Sequence, residues 1–172
     1  MRKSELTKGE IGEFYRGYID RLEPEAELVI SLKSNTSEFL QFLENIPEDK
    51  WDYRYAEGKW TLKEMIQHII DTERIFQFRA LAIARNEPQP LPGFDHDIYV
   101  LNSRSEHRAV PDLIKEYKIV REAGIILFES MTIDMLKLGG VMNDINASPR
   151  ALGFMMVGHA MHHIEVIKEK YL

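Results

Sequence analysis

Three histidines carry the residue types and spacing that could do chemistry. His159 and His163 stand four apart in Gly158-His-Ala-Met-His-His163. On a helix that spacing puts two imidazoles on one face, roughly 6 Å apart at their Cβ atoms. His68 lies in Trp60-Thr-Leu-Lys-Glu-Met-Ile-Gln-His68 on another helix-like segment. A third imidazole from a facing helix would complete a three-nitrogen site for a divalent metal. Such a site leaves at least one position open for a reacting group. Neutral imidazoles leave the ion doubly positive. It could then lower the pKa of a bound water toward about 7, or hold a bound thiol as its reactive thiolate. The chain has no cysteine, so any thiol must arrive with a cosubstrate.

Helix phase selects the pair on the last segment. With Glu165 at zero, Lys168 and Glu169 fall at about −60° and +40° and mark the solvent face. His162 falls near 60°, beside them, whereas His159 and His163 fall near 120° and 160° on the apolar side. Gly158 would permit a close approach next to the pair. His162 reads as a surface residue or a support for the pair. The alternative for the inward pair is a hydrogen-bonded core role. His68 lies about 100° from a polar centre formed by Gln67, Asp71 and Arg74. Phase alone makes it a partly exposed structural histidine.

Asp71, Glu73 and Asp95 are candidates for a catalytic base or for supporting a metal ligand. Thr72, one turn beyond His68, could support a ligand. Glu73 would otherwise pair with Arg79 or with a lysine of a neighbouring helix. Phe94-Asp-His-Asp97 falls in a long connection that could overhang one end of the molecule. His96 or Asp97 could fold over the histidines as a fourth ligand, which would favour a non-catalytic metal-binding role. Ala160 occupies the position where the zincin motif needs its glutamate base. Paired Glu-x-x-His motifs, Gly-rich phosphate loops and a Gly-x-Ser-x-Gly elbow are missing.

Four periodic segments would position these residues. The first spans about Pro24 to Asn45, with Pro24 at the first helical position and Leu28, Leu32, Thr36, Phe39, Leu40 and Leu43 on one face. The second spans Thr61 to about Asn86. Thr61-Leu-Lys-Glu64 forms a capping box, and Leu62, Met65, Ile69, Phe76, Ala80 and Ile83 form the stripe. The third spans about Pro111 to Ser130, with Leu113, Tyr117, Val120 and Leu127 inward. The fourth starts at a Ser148 cap followed by Pro149. No stretch alternates with a period of two, so the chain reads as an all-α protein, a four-helix bundle. The gap from about Glu87 to Ala109 is long for a helix–helix turn. A crossover there would leave the second and third helices parallel, in an up-down-down-up order.

Composition narrows the function classes. A length of 172 residues favours one domain, residues 1–172, with 1–23 as an N-terminal arm. A net charge of −6 without a basic cluster gives no electrostatic footprint for nucleic acid. Residues 1–10 lack a signal-peptide core, and no apolar run reaches membrane-spanning length. A cytoplasmic location and a small-molecule substrate are the expectations.

The segment Tyr55-Ala-Glu-Gly-Lys-Trp-Thr-Leu-Lys-Glu-Met-Ile-Gln-His68-Ile-Ile-Asp-Thr-Glu-Arg74 resembles the second-helix signature of the DinB/YfiT-like superfamily. Gly158-His159-Ala-Met-His-His163-Ile matches its C-terminal His-x-x-x-His motif, and Leu91-Pro-Gly-Phe-Asp95 is similar to its crossover. The resemblance runs from about Leu28 to Leu172. It implies an up-down-down-up four-helix bundle, with a divalent metal, zinc or nickel among the candidates, held by His68, His159 and His163. Members include S-transferases and isomerases that use low-molecular-weight thiols, proteins assigned as hydrolases, and damage-inducible proteins. Homodimers are common among them. The resemblance therefore implies a metal-dependent hydrolase or thiol S-transferase, or else a non-catalytic metal-binding stress-response protein; fold alone does not choose.

Overall fold

A computed structural model describes residues 1–172 as a mostly helical molecule. The long helices are α2 (Leu28–Glu44), α3 (Leu62–Ala84), α5 (Val110–Glu129) and α7 (Pro149–Lys170). Shorter ones are α1 (Glu13–Ile19), α4 (His96–Ser103) and α6 (Ile133–Lys137). Strands β1 (Gly140–Met142) and β2 (Ile145–Ala147) form an antiparallel hairpin. Helices α2 and α3 each pack on both α5 and α7, so α2 and α3 occupy opposite corners. No helix is long and apolar enough to cross a membrane.

Local chemistry sets the helix starts. Thr61 accepts from the Glu64 amide at 3.2 Å and Glu64 accepts from the Thr61 amide at 2.6 Å, closing the expected capping box on α3. Ser148 caps α7 through the Ala151 amide. Pro24, in contrast, does not open α2, which begins at Leu28. The chain's first residues intervene. Ser4 donates to the Pro24 carbonyl, Leu28 donates to the Met1 carbonyl, and Arg2 bridges Glu27. These bonds hold the approach to α2 extended.

Two further differences from the sequence expectation lie in the connections. The long gap after α3 holds a helix, α4, capped by Asp95, which accepts from the amides of Asp97 and Ile98. The hairpin was not expected, because three-residue strands are too short to show alternation. Its turn residues Asn143 and Asp144 both have positive φ, 48° and 61°, as a type I′ turn requires. Leu91 hydrogen-bonds to Val141 and Asn143, and Ser148 to Glu10. The hairpin thus ties together the α3–α5 connection, the N-terminal segment and the start of α7.

The apolar core has two parts. One contains Leu28 and Leu32 of α2, Phe76 to Ala84 of α3, Ile125 and Phe128 of α5, and Ala151 to Val157 of α7. The other contains Phe39 and Leu43, Leu62 to Ile70, Leu113 to Val120, and Ile167. Side chains such as Leu32, Phe39, Ile66 and Leu113 are fully buried. Each contributes about 1.5–3 kcal/mol of transfer free energy. Between the two parts, every long helix contributes buried polar groups: Asn35 and Thr36, Thr72 and Glu73, Arg121, and His159 with His163. This polar belt crosses the middle of the bundle.

Candidate metal centre

His68, His159 and His163 meet in the belt. Their ligand nitrogens all lie within 4.8 Å of one another. His159 Nε2 stands 3.2 Å from His68 Nε2 and 3.0 Å from His163 Nε2. The three side chains are buried, with exposures of 9%, 4% and 8%. Phase alone had left His68 partly exposed. It is buried because α3 is covered on more sides than a two-faced helix. Helices α7 and α4 pack on α3 around His68, and its ring lies 4.8 Å from Trp60 and 5.7 Å from His96. Gln67, placed at the polar centre by phase, is also buried, under Arg108.

Burial keeps the imidazoles neutral. It pushes His68 down to about 3, with help from His96, and holds His159 and His163 well below the usual histidine range. Neutral imidazole is the ligand form. Hydrogen bonding cannot satisfy this arrangement well. A neutral ring nitrogen either donates or accepts, and His159 Nε2 faces two others. A metal bonded to each nitrogen at about 2.0–2.1 Å in a tetrahedral site would set them about 3.3 Å apart. The two separations from His159, 3.2 and 3.0 Å, lie close to that spacing, and all three nitrogens fall within 4.8 Å, so the donor set fits a divalent ion.

A cavity of about 470 Å³ opens from the three imidazoles. Trp60, Thr72, Phe76 and Arg79 line it from α3 and its approach, and Phe94 and His96 from the α3–α5 connection. Phe14, Tyr15 and Tyr18 line it from the arm, and Asn143 from the hairpin turn. Gly158 has a direct steric role, since a Cβ there would collide with the Tyr18 carbonyl. Helix α1 can therefore lie against α7, with Tyr18 edge-on to both His159 and His162. Burial raises the Tyr18 hydroxyl pKa and keeps it a proton donor. His162 is half-buried outside the trio, its Nδ1 3.1 Å from Arg21 Nη2.

The other candidates lie elsewhere. Glu73 is closed in an ion pair with Arg121 of α5, not with Arg79 or a lysine. Asp71 accepts from Gln67 at 3.0 Å and does not line the cavity. Asp95 caps α4 and borders a shallow surface with His96 and Asn143. Thr72 lines the cavity with its buried hydroxyl unpartnered. His96 is exposed at the mouth, and neither it nor Asp97 joins the three-histidine group. Sequence reasoning missed Tyr18, Arg79 and Asn143. A signal existed for Arg79, which follows His68 by eleven residues and so lies within about 20° of it on the helix.

Comparisons with known proteins place this geometry. The profile described as the DinB superfamily matches residues 31–167. YfiT from Bacillus subtilis, described as a probable metal-dependent hydrolase with an unusual four-helix bundle topology, superposes with a TM-score of 0.70 at 16% identity. The alignment covers 95% of this chain and 90% of YfiT. A DinB-like protein from Bacillus subtilis, YjoA, superposes with a TM-score of 0.57 at 19% identity, covering 84% of this chain and 88% of that one. No curated protein sequence gives a significant match. With the family profile spanning most of its length and two solved structures sharing its fold, the chain belongs to the DinB superfamily.

Proposed function

We propose that His68, His159 and His163 hold one divalent metal, zinc or nickel, and that the chain is a metal-dependent enzyme acting on a small molecule. The carrying observation is the convergence of three buried, neutral imidazoles at metal-ligand spacing on an open cavity. Imidazole suits both ions. When bound, the ion would supply Lewis acidity and lower the pKa of water or of a thiol at its open position. The protein's own groups do the rest. Trp60, Phe76 and Tyr18 exclude bulk water from one side, and the Tyr18 hydroxyl offers a hydrogen bond to substrate. A fourth protein ligand would have favoured a non-catalytic metal site, and His96 and Asp97 stand outside the group.

Hydrolysis is the leading reaction. YfiT's description as a probable metal-dependent hydrolase supports it. Thiol S-transfer with a low-molecular-weight thiol is the second reading, and the cavity volume lies in the range that holds a drug-sized molecule. The bundle order we propose is up-down-down-up. Along α2 and α7 one core part comes first, and along α3 and α5 the other does. Contacts of Arg108, just before α5, with Gln67, of Glu116 with Arg74, and of the Val120 carbonyl with Gln77 likewise advance together along both helices.

The test is a panel of esters, amides, phosphoesters and thiol-reactive electrophiles, with metal-loaded and chelator-treated protein, analysed by mass spectrometry. Metal-dependent product without thiol supports hydrolysis. Adducts only with added thiol select transfer. No turnover in either arm would contradict an enzyme role for those substrate classes.

A further inference from the structure

Three arginines are buried in this molecule, and two of them have a carboxylate. Arg121 pairs with Glu73, and Arg150 pairs with both oxygens of Glu10 at 2.5 Å. Arg79, only 2% exposed, has no carboxylate partner. Its one protein hydrogen bond runs from Nη2 to the Pro92 carbonyl at 2.7 Å, and its guanidinium lies over Phe94 at 5.8 Å. A guanidinium presents five donors, so most of its capacity is unused. Its other nitrogens are not sealed in the core but reach the cavity, where a cation without a counter-charge is a ready partner for an anion. Arg79 also lines the cavity of the three histidines, and no Asp or Glu joins it there. The cavity is thus a cationic chamber inside a chain of net charge −6.

The wall between the two polar ends is largely aromatic. Phe76 and Tyr15 lie alongside, and Tyr15 accepts a long hydrogen bond of 3.5 Å from Asn143 at the rim. His68 and Arg79 are eleven residues apart on α3, about 16 Å along the axis. Side chains on a helix lean toward its N-terminus, so the Arg79 side chain reaches back toward the imidazoles. We infer that Arg79 is a substrate-binding residue, and that the cavity takes a small molecule with an apolar middle and a terminal oxyanion, a carboxylate or a phosphate. The oxyanion sits on the Arg79 fork, whose planar donors match either group. The other end of the molecule faces the three histidines, which rests on the function proposed above.

Calorimetric titration of the zinc-loaded wild type and Arg79→Gln with phenylacetate, phenyl phosphate and neutral phenylacetamide tests this, with zinc content measured in each protein. We expect one of the anions to bind the wild type at least about tenfold tighter than the amide, and whichever it is identifies the oxyanion. Arg79→Gln should cut that preference to about twofold or less at unchanged zinc content. Arg79→Lys, which keeps the charge and loses the fork, should fall between and serves as the test if the glutamine variant does not fold. A preference that survives in Arg79→Gln, or in Arg79→Lys at full strength, would overturn the assignment. So would its absence from the wild type. An Arg79-dependent anion preference in a protein that fails to hold zinc would support the Arg79 site while refuting the metal reading.

Discussion

The polar belt has two halves that solve the burial of charge differently. In one, Arg121 donates to both oxygens of Glu73 and to Asn35, and every strong charge has a partner within the protein. Burial works against the charged form, but Glu73 keeps Arg121 protonated above its usual range. In the other half, three imidazoles crowd one another, Thr72 lacks a partner, and Arg79 has no counter-charge. The halves are neighbours on α3, where Thr72 faces the cavity and Glu73 faces α5. A charge-balanced cluster fixes how helices pack, even with Asn35 Nδ2 left without a partner. One that lines a cavity and lacks a counter-charge leaves room for a ligand to supply it. The difference gives the first half a structural role and is what the proposed ligand site in the second rests on.

That contrast can be broken by mutation. Arg121→Met strands the Glu73 carboxylate in the core. It should cost about 3–5 kcal/mol in denaturant unfolding, with most of that regained when Glu73→Leu is added. A loss below about 1 kcal/mol would remove the structural role. Gly158→Ala pushes α1 off α7 at the cavity wall and should cost about 1–3 kcal/mol. An unchanged denaturation midpoint would show that α1 does not need this close approach.

Arg150→Met sharpens the contrast through pH. Burial opposes the Glu10 charge, but Arg150, the Thr7 amide and Ser148 hold its carboxyl down at about 2 from 4.5. A depressed folded pKa gives stability that is present above about 4.5 and lost as pH falls toward 2. The wild type's advantage over Arg150→Met should therefore shrink between pH 5 and 2. An advantage independent of pH would argue against the ion pair. The smallest effect belongs to the open half. Thr72→Val removes an unpartnered hydroxyl and should change stability by no more than about 0.5 kcal/mol. A loss above about 1 kcal/mol would mean that the hydroxyl has a structural partner.

Much of this was legible in the sequence where local rules operate. The Thr61 box, the Ser148 cap, the stripe of α3 and the inward phase of His159 and His163 follow from spacing and propensity, and the structure has each. What was not legible depends on long-range contacts. Pro24 fits a helix start, yet backbone pairing with residues 1–4 delays α2 to Leu28. His68 and Gln67 are buried because three neighbours cover α3, and single-helix phase counts only one buried face. Glu73 found its partner on α5, at a distance in sequence that no i, i+4 rule reaches. Tyr18 enters the site through an arm whose docking hangs on one glycine of another helix.

The central claim, that the open half holds a metal through these particular imidazoles, is tested most directly by metal analysis. Untagged wild type, His159→Ala and His162→Ala would each be dialysed against zinc or nickel and analysed for bound metal. The structure predicts about one ion per chain in the wild type and in His162→Ala, and less than about a tenth of that in His159→Ala. Sub-stoichiometric metal in the wild type, or equal binding by both variants, would contradict it.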